Sequence, residues 1–381
     1  MKMKKIIFFA LSLISLKFIA QQQINKTLFF DGSERSYIVY IPEIYDESES
    51  APLLLNFHGG SGTSTGFLNY ENDMRPISDT ANFIAVYPQA LEDPNDGNST
   101  NWIHKDPTTH NDINFVNAIL DELNEEFNID NSRIYACGYS LGGEFTFELV
   151  CNLNNRIAAA SSVARTMQQY TYDNCSPIHP TAIQTILGTN DQISPYNGLT
   201  FGGVSYYISA DLMHEFWSNY NNTDINPVTN SIADINSSDG STVDRRRWEN
   251  GDMCVSVEEL RINGGGHDWP GSFGNMDINA SQEIWKFLSN YDINGLINCP
   301  SLSYKSIESK FRIFPNPVKT HLTIINETNK SQEYSIISIL GKQIINGSLY
   351  QTSNTINLSQ LKKGFYLIKV GNLSYKIYKE I

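Results

Sequence analysis

The chain has 381 residues, 40% of them apolar and 18% charged, so it is long enough for two packed domains and too ordinary in composition for a disordered or fibrous protein. Residues 21–310 carry 14 basic against 38 acidic side chains, net −24, whereas residues 311–381 carry 9 against 3, net +6. That reversal places a boundary near residue 310, and the acidity of the longer part argues against nucleic acid or another polyanion as its partner.

At the N-terminus Lys2, Lys4 and Lys5 precede an apolar stretch over residues 6–16, and Ala20 then meets Gln21-Gln22-Gln23. This is the layout of a secretory signal peptide over residues 1–20. A membrane anchor is the alternative, but spanning takes about 20 apolar residues. No later stretch is apolar enough to cross a bilayer, so no integral membrane segment is expected in the mature protein. Residues 36–42 alternate in side-chain type and read as an early antiparallel strand. Residues 52–57 form a continuous apolar run, as in a strand buried on both faces, and end abruptly in His58-Gly59-Gly60. Residues 83–87 are a second short apolar strand. Ile113, Val116, Ile119, Leu120, Leu123 and Phe127 fall at helical spacing, with Asn111 or Asp112 as the cap. Strands follow over 133–137, 157–163, 182–187 and 256–262, with helices over 144–151 and 285–288. Strands alternating with helices predict an α/β domain over residues 24–297, its sheet mostly parallel and covered on both faces.

Gly138-Tyr139-Ser140-Leu141-Gly142 matches the G-x-S-x-G nucleophile elbow. So short a pattern can arise by chance, but here an apolar strand precedes it and a helical segment follows, as the elbow requires. A tight strand-to-helix turn lifts the serine oxygen above the sheet, and glycines at 138 and 142 remove side chains that would clash. A serine hydroxyl is a poor nucleophile until a base takes its proton, so a histidine must lie within hydrogen-bond reach. Gly264-Gly265-Gly266 forms an unobstructed turn after a late strand, with His267 at its tip. Of the other histidines, His58 is taken up by its glycine turn, and His104, His110, His179, His214 and His321 lie in polar or undefined surroundings. The acid that orients the imidazole is expected at Asp191, at the tip of the turn Gly188-Thr189-Asn190-Asp191. Asp268 is the poorer candidate, because a neighbour in sequence points away from the ring. The order Ser140, Asp191, His267 is that of an α/β-hydrolase. Two backbone N–H groups must meet the developing oxyanion, one from Leu141 and the other from Gly59 or Gly60. Trp102, Tyr139 and Trp269 are candidates for an aromatic wall beside a phenolic acid or sugar ring, or else ordinary core and rim aromatics.

Of the five cysteines, Cys137 sits in an apolar strand pattern and reads as a buried thiol. Export permits disulfides, and the odd count leaves at least one thiol unpaired. None of the five has the paired spacing of a zinc site, so neither a metal nor a cofactor is expected.

Taken together, the run over residues 53–60, RIYACGYSLGG over 133–143, GTNDQISPYNG over 188–198 and GGGHDWPG over 264–271 resemble the polyhydroxybutyrate depolymerase and feruloyl esterase group of the carbohydrate esterase family 1 type. The similarity covers residues 26–291. It implies a secreted α/β-hydrolase that cleaves carboxylic esters with Ser140, Asp191 and His267 as its triad, and a polymeric ester as partner. Feruloyl, acetyl-xylan and polyhydroxyalkanoate esters need the same triad, and the reading leans toward the polysaccharide-linked ones. A peptidase of the same fold and a non-catalytic binding protein on a hydrolase scaffold are the rivals. The resemblance also implies a disulfide between Cys151 and Cys175. Relatives often carry a cysteine near residues 221–223 that pairs with the Cys254 position; its absence here leaves Cys254 free or joined to Cys299. Further on, Phe314-Pro315-Asn316-Pro317-Val318, Ile339-Leu340-Gly341-Lys342 and Leu361-Lys362-Lys363-Gly364-Phe365-Tyr366 resemble a type A sorting domain of the type IX secretion system. That implies a small all-β sandwich over residues 311–381, joined by a linker over 298–310. Its partner would be the type IX export machinery, and the protein would be secreted or attached to the cell surface. A carbohydrate-binding module is the alternative for this region.

Overall fold

The computed structural model describes residues 21–94, 97–102, 111–299, 311–326, 330–338, 341–371 and 373–380. The expected signal peptide, His104, His110, the linker beyond residue 299 and Ile339-Leu340 lie outside the described residues. Two compact units divide the chain, Met1–Cys299 and Pro300–Ile381.

Ten strands build the main sheet of the first unit: β1 (Gln22–Phe30), β2 (Ser33–Ile41), β3 (Ala51–Phe57), β4 (Ile84–Pro88), β5 (Ile129–Tyr139), β6 (Ala159–Val163), β7 (Ala182–Gly188), β8 (Val228–Ser231), β9 (Thr242–Trp248) and β10 (Val257–Asn263). They lie in the order β1-β2-β4-β3-β5-β6-β7-β10-β9-β8. The six from β4 to β10 run parallel, and an antiparallel pair flanks them at each edge. The parallel centre is what the apolar runs predict: β3, β4, β6 and β7 are buried along their whole length. The outer strands escape a reading based on apolar runs. The residues of β8 are all exposed, and β9 carries Arg245, Arg246 and Arg247.

Alternation along the strands divides the core into two layers. Leu53, Leu55 and Phe57 point to one face, where α2 (Asp112–Glu126), α3 (Leu141–Asn152) and α4 (Ala210–Asn221) pack. Leu54 points to the other, together with Met74 before α1 (Arg75–Ala81) and with Ile284 and Phe287 of α5 (Ala280–Leu288). Asn111 is the cap of α2, its side chain accepting the Asn114 N–H at 3.3 Å.

Two disulfides staple this unit, Cys151–Cys175 and Cys254–Cys299, and Cys137 stays a free, buried thiol. The open question at Cys254 is thus resolved toward Cys299. That bond carries the unit two residues past the expected end at 297, because a short ladder of Tyr291–Asp292 with Gly295–Leu296 returns the chain toward Met253.

The second unit has a sheet of β11 (Phe311–Phe314), β12 (His321–Asn326) and β15 (Ser353–Asn357), and another of β13 (Gln332–Ser338), β14 (Gln343–Leu349), β16 (Gly364–Val370) and β17 (Leu373–Lys379). Leu322 and Ile324 from the first sheet share one core cluster with Ile336, Ile368 and Ile377 from the second, which makes the pair a sandwich. Among the described residues no helix is long and apolar enough to cross a membrane.

A thiol reagent is expected to find no reactive cysteine in the native chain, because Cys137 is fully buried and its burial raises the thiol pKa. Unfolding without reductant should release one thiol per chain, and three or more would refute the pairing. Replacing Cys254 and Cys299 together with Ser is expected to cost about 2–4 kcal/mol in urea unfolding, from the loop entropy restored to the unfolded chain.

Candidate active site

The site is built where β5 passes into α3. Ser140 lies between them with φ 52° and ψ −119°, a conformation that side-chain-bearing residues rarely adopt. The backbone around it is packed too closely for anything but glycine. A Cβ on Gly138 would stand 2.2 Å from the Gly142 carbonyl oxygen, and one on Gly142 would stand 2.1 Å from that of Phe57. The elbow is therefore pressed against the end of β3, which brings Gly59 and Gly60 beside it. A Cβ on Gly59 would lie 3.4 Å from the Ser140 Cβ, and one on Gly60 would meet the Leu141 side chain. The Ser140 N–H donates to Val163 O at 2.9 Å, tying the turn to β6. As the first residue of α3, Leu141 presents its N–H at the positive end of the helix, where an oxyanion is favoured.

His58 supports this corner without joining the chemistry. Its Nε2 accepts the Ala90 N–H at 3.1 Å, which leaves Nδ1 as the donor to Gly59 O at 2.7 Å. Burial lowers its pKa to about 4, so the ring is neutral.

Asp191 and His267, the expected acid and base, lie in the loops after β7 and β10. These loops are bound to each other: Asn190 N–H donates to Gly265 O at 2.8 Å, Thr189 N–H to Ile262 O at 3.0 Å, and Gly264 N–H to the Thr189 hydroxyl at 2.9 Å. Gly188 makes the approach possible, since a Cβ there would lie 2.2 Å from Gly266 O. Across the junction His267 Nδ1 donates to Asp191 Oδ2 at 2.7 Å. The other carboxylate oxygen accepts the N–H groups of Ile193 and Ser194, at 2.8 and 2.7 Å. Both oxygens of the buried Asp191 are thus committed, and the imidazole tautomer has its Nδ1 proton facing the acid. The Ser140 hydroxyl makes no hydrogen bond among the described residues.

Two supporting roles have no signature in the sequence. The Tyr139 hydroxyl donates to His267 O at 2.7 Å, and its ring lies 5.1 Å from the imidazole. Asp268 accepts the Gly266 N–H at 2.9 Å and so shapes the histidine turn rather than orienting the ring. Gly274 makes room for it, since a Cβ there would stand 2.0 Å from the Asp268 Cγ.

Of the two readings offered for the aromatics, Trp102 and Trp269 take the core one. Trp102 and Trp269 are each 1% exposed, so neither faces a ligand. The Trp102 indole N–H donates to His58 O at 2.8 Å and its ring stacks on Phe145. Trp269 packs edge-on against Phe67 and Tyr139. Their size and apolar surface are used in the core instead. Tyr139 alone is partly exposed. Among the described residues no three His, Cys, Asp or Glu side chains converge as metal ligands would.

Sheet order and elbow together give the first unit the α/β-hydrolase fold. The chain is similar in sequence to feruloyl and acetylxylan esterases. It is 27% identical over 272 residues to the bifunctional acetylxylan esterase/xylanase XynS20E of Neocallimastix patriciarum, covering 70% of this chain and 35% of that protein. It is 27% identical over 241 residues to feruloyl esterase B of Piromyces equi, covering 61% of this chain and 42% of that one. The chain thus spans about two-fifths of the length of these relatives. An acetyl xylan esterase from Aspergillus awamori aligns with 71% of this chain and 99% of its own at 14% identity, with a TM-score of 0.47. Residues 312–381 match the secretion system C-terminal sorting domain family.

The buried neutral imidazole of His58 has a consequence for acid stability. The unfolded chain takes up this proton near pH 6.5, and the folded chain only near pH 4. The contribution is complete above pH 6.5 and is lost as pH falls through the window toward 4. Between pH 7.5 and pH 5 the loss is about 2 kcal/mol. Urea unfolding of wild type and His58→Gln at both pH values is expected to show the smaller loss in the variant; equal losses would refute the assignment.

Proposed function

We propose that the first unit is a serine carboxylic ester hydrolase that works through an acyl-enzyme on polysaccharide-linked feruloyl or acetyl esters. The reading is carried by the hydrogen bond from His267 Nδ1 to Asp191 Oδ2, made at the rim of a fold whose elbow holds Ser140. In this mechanism Ser140 Oγ attacks the ester carbonyl carbon while His267 Nε2 takes its proton. The oxyanion accepts from the Leu141 N–H and from that of Gly59 or Gly60. Collapse breaks the bond to the leaving alcohol, which receives the proton from His267. Water, deprotonated by the same nitrogen, then attacks the acyl-enzyme, and the acid departs as Ser140 regains its proton. Asp191 keeps Nδ1 as the donor and stabilises the imidazolium.

The names of the relatives support a polysaccharide-linked ester over a polyhydroxyalkanoate one. The sorting-domain match supports a protein exported by the type IX machinery, which works outside the cell or attached to its surface.

Ser140→Ala is expected to lower kcat on a chromogenic short-chain ester by about 10⁴-fold or more, and Asp191→Asn by about 10³-fold or more, with circular dichroism unchanged. Wild type should react stoichiometrically with a fluorophosphonate probe at Ser140. An unlabelled Ser140, or full activity in Ser140→Ala, would leave a non-catalytic binding protein as the better reading.

A further inference from the structure

The turn that follows His267 carries an aromatic side chain for which the proposed chemistry has no use. Phe273 is 39% exposed, yet its backbone is fixed. The N–H groups of Ser272 and Phe273 both donate to Trp269 O at 3.0 Å, and the Gly271 N–H donates to Asn275 O at 2.9 Å. Gly274 closes the turn at φ 78°, against Asp268. The Ser272 hydroxyl donates to Glu71 O at 3.0 Å and pins the turn from its other side. A turn held at so many points keeps the Phe273 ring outside the core.

That ring stands against the candidate site. Its centroid lies 6.0 Å from that of Tyr139, edge-to-face at 84°. The Tyr139 ring lies in turn 5.1 Å from the His267 imidazole. On its other side Tyr139 Cδ1 and Ser140 Cβ border one small volume, lying 3.1 and 3.4 Å from the position that a Cβ would take on Gly59. Tyr139 is partly exposed, and its hydroxyl proton is spent on the His267 carbonyl. The two rings therefore present ring carbon and no free donor. Single exposed apolar side chains are common. This one adjoins a second aromatic ring that itself borders both Ser140 and His267.

We propose that Phe273 is a specificity-determining residue, forming with Tyr139 a wall that takes an aromatic ring carried by the ester. The proposal rests on the esterase reading and narrows its substrate class to aryl esters. An edge-to-face pair receives a third ring by the same packing, which adds to the gain from the apolar area buried. A sugar ring laid there would lose hydrogen bonds to water that the wall cannot replace, and an acetyl group has no ring to place.

The test uses the full chain, as wild type, Phe273→Ala and Phe273→Tyr, with three esters. Methyl acetate has no ring, methyl ferulate carries one on the acyl side, and 4-nitrophenyl acetate carries one on the leaving side. In Phe273→Ala the kcat/KM of an aryl ester relative to methyl acetate is expected to fall about 10-fold, through KM, with Phe273→Tyr within about twofold of wild type. A fall with methyl ferulate puts the ring on the acyl side, and a fall with 4-nitrophenyl acetate puts it on the leaving side. Ratios within about twofold of wild type for both aryl esters in Phe273→Ala, melting temperatures being unchanged, would overturn the wall. So would an equal loss of kcat on all three esters, which is the mark of a mere prop for Tyr139 and His267. Binding of the two aryl esters is also measured by calorimetry in the Ser140→Ala background, with and without Phe273→Ala. Binding that Phe273→Ala weakens supports the wall even if wild type cleaves no ester, and in that case the esterase reading alone fails. Cleavage of all three esters with unmoved ratios sinks the wall and leaves the esterase standing.

Discussion

The contact on which the site depends is between two pieces of backbone. The first turn of α3 touches the carbonyl groups at the end of β3 at a distance no side chain could occupy. Because Gly142 sits against Phe57 O and Gly138 against Gly142 O, the chain between them has one way to turn, and Ser140 is forced to φ 52°. Such a residue costs on the order of 1–3 kcal/mol and persists only where its surroundings over-determine it. Here the surroundings are the fully buried centre of a ten-stranded sheet. The same contact places the Leu141 N–H and the Gly59-Gly60 turn side by side. One close approach thus sets Ser140 and the N–H groups beside it.

Asp191 and His267 are brought together by a second close approach, that of Gly188 to Gly266. Three hydrogen bonds between the loops precede the one between the side chains, so the imidazole is oriented before any substrate arrives. Both oxygens of Asp191 are occupied, and Tyr139 reaches from the elbow to the His267 carbonyl, linking the two halves of the site. In the proposed mechanism, fixing these groups in advance would let electrostatic stabilisation act without reorganisation during the reaction.

How much of this could be read from the residues follows from where each constraint is local. Gly138, Gly142 and Gly188 leave a visible pattern because a Cβ at each would stand 2.1–2.2 Å from a backbone oxygen, and that pattern, with the glycine run before His267, led to Ser140, Asp191 and His267. The parallel strands were legible as apolar runs, being buried on both faces. Trp102 and Trp269 were not, because an aromatic residue near a catalytic motif reads alike whether it faces solvent or core. Its burial is decided by Phe145, Phe67 and a carbonyl of His58, all distant in sequence. The partner of Cys254 was hidden for a similar reason. A separation of 45 residues carries no local signal, and the pairing depends on Gly295 fitting against Met253, where a Cβ would stand 2.1 Å from the carbonyl oxygen. Tyr139 and Asp268 act through hydrogen bonds that no spacing rule encodes.

The Cys254–Cys299 bond also bears on how the chain is divided. It closes the first unit at its last residue, so that the sheet, both disulfides and all residues of the candidate site lie before residue 300. The second unit has its own core, drawn from both sheets of its sandwich, and a charge of opposite sign. The match of residues 312–381 to a secretion system sorting domain fits that division, since the strands and loops that carry Ser140, Asp191 and His267 are all complete before that segment begins.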